Sequence, residues 1–327
     1  MKAIHYHPSP PHSLYKAEFP KPVPQAGELL VKVKANALNR ADLAQKRGNY
    51  PPPPGASEIL GLEASGVVVD AAPDCQRFSK GDEAMMLLAG GGYGEYVACP
   101  EVCAMPKPNS LSWEEAACVS EVFITTYQAL FDLGQVREGE SVLLHGGASG
   151  IGTAGVQLAQ KVGAKVFTTA GSAEKCRFLE DQMGVARAIN YKSEDFASIL
   201  KEETSGKGVD FILDIAGGSH YEKNIRSIGV DGRWVVLAFL GGRYTEKFDF
   251  AKLLLKRVKL MGSTLRARDN AYKGRLIQEF EQRFLPLIES REILPVIDQV
   301  FPWQEAWQAH EYMEGNKNIG KIVLRRS

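Results

Sequence analysis

The apolar positions of the chain follow different patterns before and after about residue 122. Before it, short strand-like stretches alternate with proline and glycine, which favours an irregular antiparallel or barrel-like β domain. The strands predicted there are Lys2–Tyr6, Glu28–Ala35, Glu63–Val69, Glu83–Leu88 and Gly94–Ala98. The run Pro51-Pro52-Pro53-Pro54-Gly55 predicts an extended loop, because proline cannot donate to a β ladder.

After Ser112, which has the spacing of a helix capping box with Glu115, strands alternate with helices. We predict strands at Ser141–His145, Lys165–Thr169, Ala188–Tyr191, Phe211–Ile215, Trp234–Phe239 and Lys259–Ser263. The helices between them are predicted at Gly152–Val162, Glu174–Gln182, Asp195–Glu203, His220–Ser227 and Asp249–Lys256. This alternation is typical of an α/β fold with a doubly wound parallel sheet of about six strands.

Beyond Arg266 the pattern predicts a long helix, a short strand-like segment, a second helix and a closing strand. Their ranges are Asn270–Glu289, Leu294–Val300, Trp303–Glu314 and Gly320–Leu324. A lone terminal strand is poorly stable unless it joins a sheet, so we expect it to return to the N-terminal domain. The predicted domains are therefore 1–122 with 266–327, and 123–265, with the active site in the cleft between them.

A glycine-rich turn follows the first strand of the alternating region. Its spacing, Gly147-x-x-Gly150-x-Gly152, is a variant of the dinucleotide fingerprint, and a glycine-rich turn of another kind is the alternative interpretation. The helix that begins there offers unpaired N–H groups to a pyrophosphate. The position of the turn after the first of six alternating strands favours a dinucleotide site.

The end of the second strand predicts which dinucleotide binds. An NAD site has an acidic residue about 20 residues beyond the turn. Here the strand ends in Ala170-Gly171-Ser172, and Lys175 follows. Lys175 supplies a cation and Ser172 a hydroxyl for a 2′-phosphate, so we predict NADPH. Glu174 could bond a ribose instead, although the first turn of a helix is expected to direct it away.

Composition excludes several functional classes. Lysine plus arginine equals aspartate plus glutamate at 39 each, so no global field attracts nucleic acid or an anionic membrane. No apolar run is long enough to span a membrane, and the first residues lack a secretory signal, so a cytoplasmic protein is expected. The five cysteines form no C-x-x-C pair and are expected to be reduced thiols.

Several segments together match a known family: Asn36–Leu43, Gly61–Gly66, His145–Gly152, Ala170–Ser172, Ile189–Tyr191 and Asn316–Lys321. Through them the chain resembles the medium-chain dehydrogenase/reductase superfamily, within it the zinc-independent quinone oxidoreductases related to zeta-crystallin. Asn49–Pro53 and Ser263–Asn270 resemble the tumour-suppressor-induced quinone oxidoreductase branch. The resemblance implies a GroES-like catalytic domain, a Rossmann NADPH-binding domain and a homodimer, with Lys259–Ser263 a candidate edge for pairing the two sheets.

The chain departs from the zinc-dependent members of that superfamily. Those enzymes have a cysteine near the start of the stretch matched here by Ala37–Asp42, and a histidine where this chain reads Gly61-Leu62-Glu63. A structural zinc would need four closely spaced cysteines, and only Cys99 and Cys103 lie in that region. Because the thiolate and imidazole ligands are missing from these motifs, we predict no metal.

The resemblance implies a set of cofactor-binding residues. Asn39 and Thr126 would lie beside the nicotinamide, Gly150 and Ile151 on the pyrophosphate, and Gly171, Ser172, Lys175 and Tyr191 around the 2′-phosphate. The nicotinamide side would be completed by Gly217, Phe239, Leu240, Gly241, Leu265, Arg266 and Asn316. The catalytic candidates are Tyr50, Asn39 and Thr126, with Tyr50 stacking on a quinone or bonding its oxygen.

Several of these residues have a second interpretation that the sequence leaves open. Asn39 and Asn316 could be turn or capping residues, Tyr191 a core aromatic, and Tyr50 an exposed loop residue. Asp42 could relay a proton or be an exposed helix residue. His145 lies inside the first strand of the parallel sheet, and we interpret it as structural.

The sequence thus predicts an NADPH-dependent, zinc-independent reductase of quinones. Without a metal to polarise it, the hydride acceptor must delocalise the charge it receives, as a quinone or conjugated enone does. One alternative is a reductase of 2-enoyl thioesters or enones. The other is a cofactor-binding crystallin or RNA-associating protein with weak activity, although balanced charge argues against strong nucleic-acid binding.

Overall fold

A computed structural model of the protein describes residues 1–10 and 12–326. The chain divides into two compact units. Unit 1 comprises Met1–Ile124 and Leu265–Ser327, and unit 2 comprises Thr125–Thr264. Unit 1 is therefore built from both ends of the chain, and unit 2 from its middle.

The N-terminal part of unit 1 consists mainly of antiparallel strands. They are β1 (Lys2–Tyr6), β2 (Leu14–Glu18), β3 (Glu28–Ala37), β4 (Glu63–Ala71), β5 (Glu83–Leu87), β6 (Tyr96–Pro100) and β7 (Ala104–Pro106). Helices α1 (Arg40–Lys46), α2 (Trp113–Ala116) and α3 (Ser120–Tyr127) follow β3 and β7. Ser112 Oγ accepts from the Glu115 N–H at 3.1 Å, while the Glu115 carboxylate accepts from the Ser112 N–H at 2.8 Å. This confirms the predicted capping box.

Unit 2 alternates strands and helices. The strands are β8 (Ser141–His145), β9 (Lys165–Ala170), β10 (Arg187–Asn190), β11 (Val209–Asp214), β12 (Ile228–Val236) and β13 (Lys259–Gly262). The helices are α4 (Gly150–Lys161), α5 (Ala173–Asp181), α6 (Phe196–Glu203), α7 (Tyr221–Ser227) and α8 (Phe250–Leu255). All strands pair in parallel in the order β10-β9-β8-β11-β12-β13. This is the doubly wound Rossmann order, and it confirms the predicted six-stranded sheet.

The C-terminal part returns to the sheet of unit 1. It contains α9 (Asn270–Glu289), β14 (Ile297–Pro302), α10 (Ala306–Glu314) and β15 (Lys321–Arg325). Strand β15 pairs antiparallel with β3, with Val323 opposite Ala37, and parallel with β14. The expectation that the closing strand joins the N-terminal sheet is therefore confirmed.

Each unit has its own hydrophobic core. In unit 1 one core cluster joins the two ends of the chain, since Leu38 and Tyr93 pack with Trp303 and Ile322. In unit 2 the apolar strand residues Leu143, Phe167 and Ile212 are buried beneath the flanking helices. No helix among the described residues is long and apolar enough to cross a membrane.

A buried polar network links the strands of unit 2. Asp214 Oδ2 accepts from Trp234 Nε1 at 3.0 Å and from Asn224 Nδ2 at 3.1 Å. The Asn224 oxygen therefore faces His145 Nε2 at 2.7 Å, and His145 Nδ1 lies 2.8 Å from Thr169 Oγ1. Since Asn224 Oδ1 can only accept, His145 carries its proton on Nε2 and accepts from Thr169. His145 is buried and both of its ring nitrogens are hydrogen-bonded, which agrees with its interpretation as a structural residue.

We expect acid to weaken unit 2 through His145. Burial lowers its pKa to about 4, whereas an unfolded histidine titrates near 6.5. The unfolded state therefore binds the proton first, and stability is lost as the pH falls from about 6.5 towards 4. Linkage gives a loss of about 2 kcal/mol for this one group between pH 7 and pH 5.

The substitution His145→Gln tests this, because glutamine keeps an acceptor and a donor but does not titrate. Urea unfolding should show that the free energy of unfolding falls less between pH 7 and pH 5 in His145→Gln than in the wild type. The other titrating groups are the same in both proteins, so their contributions cancel. His7→Gln, at an exposed histidine, is the control. An equal pH dependence in His145→Gln and the wild type would contradict the prediction.

Candidate functional site

The glycine turn joins β8 to the N-terminus of α4. Ser149 is the N-cap of this helix, and its Oγ accepts from the Gly152 N–H at 3.1 Å. A Cβ on Gly152 would overlap the carbonyl oxygens of Gly146 and Gly147. Gly146 itself has a φ of +67°, which favours glycine. The turn is thus tight enough to leave the first N–H groups of α4, at Gly150 and Ile151, open to an anion.

Thr126 and Ile151, both predicted to contact the cofactor, lie together in unit 2. The Thr126 hydroxyl lies 3.4 Å from the carbonyl oxygen of Ile151, to which it donates. Thr126 is fully buried, and its methyl group lies 3.3 Å from the position that a Cβ on Gly155 would occupy. This contact fixes the Thr126 side chain against the first turns of α4.

Beyond the end of the second strand, the residues that follow β9 lie beside those that follow β10. A Cβ on Gly171 would lie 3.2 Å from Tyr191 Oη and 3.5 Å from Lys192 Cε. Tyr191 is 38% exposed, so its interpretation as a core aromatic is wrong. Lys192 was not among the predicted residues. Because β10 pairs in parallel with β9, the residues that follow Asn190 lie beside those that follow Ala170, and this adjacency was the available signal.

Ser172 and Lys175 lie at the start of helix α5. Ser172 is the N-cap, and its Oγ accepts from the Lys175 N–H at 3.3 Å. Its hydroxyl hydrogen remains able to donate to a ligand. The Lys175 side chain is half-buried, and that of Glu174 is exposed. The structure therefore places the Ser172 hydroxyl and the N-terminus of α5 directly after Gly171, against which Tyr191 and Lys192 lie, and no carboxylate ends β9.

The loops that follow β11 and β12 are tied to each other. The N–H groups of Leu240 and Gly241 donate to the carbonyl oxygens of Ile215 and Ala216 at 3.0 and 2.8 Å. Gly217 has a φ of +74°, and a Cβ there would lie 2.8 Å from the Phe239 Cβ. Phe239 and Leu240 are 57% and 60% exposed. Four residues predicted for the nicotinamide side, Gly217, Phe239, Leu240 and Gly241, thus form one exposed surface.

In unit 1, Asn39 is the N-cap of α1, as its capping interpretation predicted. Its backbone N–H donates to Asp42 Oδ2 at 2.8 Å, and the Gly61 N–H donates to Asp42 Oδ1 at 3.0 Å. Asp42 is 1% exposed, so the expectation of an exposed helix residue is wrong. Burial raises the pKa of Asp42 to about 6, against the opposing effect of the two N–H groups.

The Asn39 side chain is held by a buried ion pair. Its Nδ2 donates to Glu63 Oε1 at 3.0 Å, and its Oδ1 accepts from Lys321 Nζ at 2.8 Å. Lys321 Nζ lies 2.6 Å from Glu63 Oε1, with side chains 4% and 0% exposed. Glu63 is the glutamate of the Gly61-Leu62-Glu63 motif. Among the described residues, no group of three histidine, cysteine, aspartate or glutamate side chains could hold a metal ion.

Tyr50, the candidate substrate residue, is half-buried against Arg266. The Arg266 guanidinium lies over the Tyr50 ring, 5.2 Å from its centroid, and its Nη1 donates to the Tyr50 carbonyl oxygen at 3.3 Å. Arg266 also donates to Ala89 O at 2.8 Å and to Gln45 Oε1 at 2.7 Å. Burial raises the pKa of Tyr50, although the nearby Arg266 opposes this. Arg266 thus acts in unit 1 by holding the segment that carries Tyr50.

Leu265 and Asn316, two further predicted cofactor contacts, lie elsewhere in unit 1. Leu265 lines a small cavity together with Leu62 and Leu88. Asn316 follows α10 with a φ of +54°, which agrees with the turn interpretation. Its Oδ1 accepts from Arg40, and its Nδ2 donates to Glu314 O at 3.2 Å.

Two family models match the chain. Residues 25–109 match "Alcohol dehydrogenase GroES-like domain", and residues 150–283 match "Zinc-binding dehydrogenase". A synaptic vesicle membrane protein VAT-1 homolog from Mus musculus is 32% identical over 93% of this chain and 77% of its own length. A quinone oxidoreductase from Rattus norvegicus is 28% identical over 93% of this chain and 90% of its own length.

Solved structures with the same fold include proteins with different activities. An NAD-dependent alcohol dehydrogenase has a TM-score of 0.87 at 30% identity and covers 99% of each chain. A mycobacterial protein complexed with NADPH has a TM-score of 0.87 at 27% identity, covering 99% of this chain and 100% of its own. The JamJ enoyl reductase has a TM-score of 0.84 at 27% identity, covering 96% and 95%.

Proposed function

Because this chain belongs to the medium-chain dehydrogenase/reductase family that includes the quinone oxidoreductases and VAT-1 homologs, we propose that it is an NADPH-dependent, zinc-independent reductase of quinones. The observation that carries the proposal is the group of side chains where β9 and β10 end. An NAD site would have a carboxylate there to accept from the ribose 2′-hydroxyl. Here Tyr191 and Lys192 lie against Gly171 instead, and Ser172 and Lys175 follow it at the start of α5, which suits a phosphate.

The glycine turn fits the rest of the dinucleotide. Because Gly152 has no Cβ, α4 starts close beneath the Gly146 and Gly147 carbonyl groups. The backbone at Gly150 and Ile151 can then approach a pyrophosphate at the positive end of the helix dipole. The mycobacterial relative complexed with NADPH supports the same choice of cofactor.

Bound NADPH supplies a hydride from C4 of its nicotinamide. We propose that Thr126 and the surface formed by Gly217 and Phe239–Gly241 hold that ring in unit 2. Asn39, in unit 1, is kept as a proposed nicotinamide contact because the family resemblance implies it. Thr126 is fixed by its bond to Ile151 O, and Asn39 by its bonds to Glu63 and Lys321. Arg266 lies over one face of the Tyr50 ring, and we propose that a flat substrate stacks on the other. The remaining proposed contacts are Leu265, Arg266 and Asn316.

The residues around Glu63 support a quinone as the acceptor. The stretch Ala37–Asp42 contains no cysteine, and Leu62 stands where zinc-dependent members have a histidine, so the thiolate and imidazole ligands of those motifs are missing. The Glu63 carboxylate is neutralised by Lys321. The acceptor must then carry its own negative charge after hydride transfer, and a hydroquinone anion delocalises it. Enolates share this property, so the JamJ enoyl reductase structure favours enone reduction as the second candidate.

Lys175→Ala tests the cofactor assignment. If Lys175 contacts a 2′-phosphate, its loss should weaken NADPH binding about tenfold, equivalent to about 1.4 kcal/mol, and leave NADH binding unchanged. Fluorescence titration with both cofactors measures the ratio. Arg177→Ala, two residues further on the same helix and exposed, is the matched control and should leave the ratio unchanged. Equal losses for NADPH and NADH would rule out the 2′-phosphate contact.

The substrate assignment is tested by following NADPH consumption with an ortho-quinone, a para-quinone and a 2-enoyl thioester. We expect turnover with at least one quinone and a kcat/KM more than tenfold below it for the thioester, a difference of about 1.4 kcal/mol in transition-state binding. Turnover of the thioester alone would replace the quinone proposal with the enoyl reductase alternative. Oxygen uptake during turnover would report one-electron rather than two-electron reduction.

We further propose a homodimer through strand β13. This strand forms the edge of the six-stranded sheet, so its outer N–H and C=O groups can pair with another strand. Leu260 on the strand is 39% exposed, and Leu254 and Leu255 on α8 are 74% and 72% exposed. Light scattering should give twice the chain mass for the wild type and a lower mass for Leu255→Glu. The control Val23→Glu alters an equally exposed apolar residue in unit 1 and should remain dimeric.

A further inference from the structure

Two buried cations of unit 1, Arg266 and Lys273, line the same small cavity. Arg266 is 7% exposed and Lys273 6%. The other residues that line the cavity also belong to unit 1, and they are Leu62, Leu87, Leu88, Leu265 and Glu121. The cavity is therefore walled mainly by leucine and carries two cations and one carboxylate.

The Lys273 ammonium group uses one of its three N–H donors on the protein. Its Nζ donates to the carbonyl oxygen of Arg266 at 2.9 Å. Among the described residues, no carboxylate forms an ion pair with it and no second acceptor takes a hydrogen from it. The thiols of Cys99 and Cys103 lie near it, but burial raises the pKa of both, so they bring no negative charge.

Arg266 also retains N–H groups that the protein does not use. A guanidinium group has five N–H donors. Nε donates to Ala89 O at 2.8 Å, Nη1 to Tyr50 O at 3.3 Å and Nη2 to Gln45 Oε1 at 2.7 Å. One hydrogen on each terminal nitrogen therefore has no acceptor in the part of the chain that the structure describes, and no carboxylate there pairs with the group.

The protein does not compensate the charges of these two residues. Burial lowers the pKa of Lys273 by more than the neighbouring groups raise it, and burial also lowers the pKa of Arg266. Burial acts on Lys321 in the same unit as well, but there the Glu63 carboxylate more than offsets it and the net shift is upwards. A buried cation is costly unless it is paired. The cavity therefore favours a ligand that brings negative charge.

The charge and the walls of the cavity determine the class of ligand. Two cations and the Glu121 carboxylate leave one positive charge, which one negative charge neutralises. The leucine walls cannot hydrogen-bond the outer oxygens of a carboxylate or phosphate, so a larger oxyanion would lose hydration without replacement. A monatomic anion needs only the N–H donors of the two cations. We propose that Arg266 and Lys273 bind a halide ion, such as chloride, in this cavity of unit 1.

A halide bound there would connect helix α9 to the segment that carries Tyr50. Lys273 lies in the first turn of α9, and Arg266 holds that segment by donating to the Tyr50 carbonyl oxygen. Both cations come together only in the folded chain, so the halide binds the folded state and stabilises it by mass action.

Halide-dependent stability tests the proposal. Urea unfolding is measured as bromide replaces fluoride from about 10 to about 100 mM at constant ionic strength, because strongly hydrated fluoride is costly to transfer to an apolar cavity. Relative to Lys273→Met, the folding equilibrium constant of the wild type should rise about threefold or more, up to the roughly tenfold limit of one-site linkage. General salt effects cancel in this comparison. The control Lys80→Met removes an exposed lysine of unit 1 and should respond like the wild type.

Equal responses of the wild type and Lys273→Met would overturn the proposal. An equal gain with acetate in place of bromide would also overturn it, because the site would then take a carboxylate. Where Lys273→Met fails to fold, wild-type crystals soaked in bromide decide. An anomalous peak in contact with Lys273 Nζ and the Arg266 guanidinium supports the halide site, and bromide found only elsewhere contradicts it.

Discussion

The parallel direction of all strands in the unit 2 sheet is the constraint on which the proposed cofactor site depends. Because β8 to β12 run the same way, the loops that follow them emerge along one edge. The glycine turn after β8, Gly171 after β9, Tyr191 after β10 and Gly217 after β11 therefore become neighbours, although they span about 70 residues of sequence. The buried network of His145, Thr169, Asn224 and Asp214 connects the same strands just inside that edge.

This constraint also explains which parts of the fold were predictable. The parallel strands are buried on both faces, so their sequences are short apolar runs, and β8 has the bounds that the sequence predicted. Helix α9, outside that sheet, also has its predicted bounds. Strand β2 was missed because most of its residues, such as Tyr15 and Lys16, are exposed and carry no apolar alternation. Lys192 was missed because its relevance comes from strand pairing rather than from a motif.

Unit 1 depends instead on contacts between distant parts of the chain, which a local pattern cannot reveal. Glu63 and Lys321 lie 258 positions apart and meet because β15 pairs with β3. The sequence identified the Gly61-Leu62-Glu63 motif and the absence of a histidine in it. It did not indicate that Asp42 is buried, because the seven residues of α1 are too few to show a clear polar face. Nor did it indicate that Arg266 forms hydrogen bonds with Gln45, Tyr50 and Ala89.

The same ion pair neutralises the buried Glu63 carboxylate with a cation of the protein. A buried carboxylate needs a counter-charge, whether a metal ion or a cation of the protein. Here the cation is Lys321, held by three acceptors on a strand from the opposite end of the chain. A metal ion can act as a Lewis acid on a substrate, whereas an ammonium with all three hydrogens engaged has no donor left for one. Under the proposed function, the negative charge left by hydride transfer is therefore stabilised by delocalisation within the substrate.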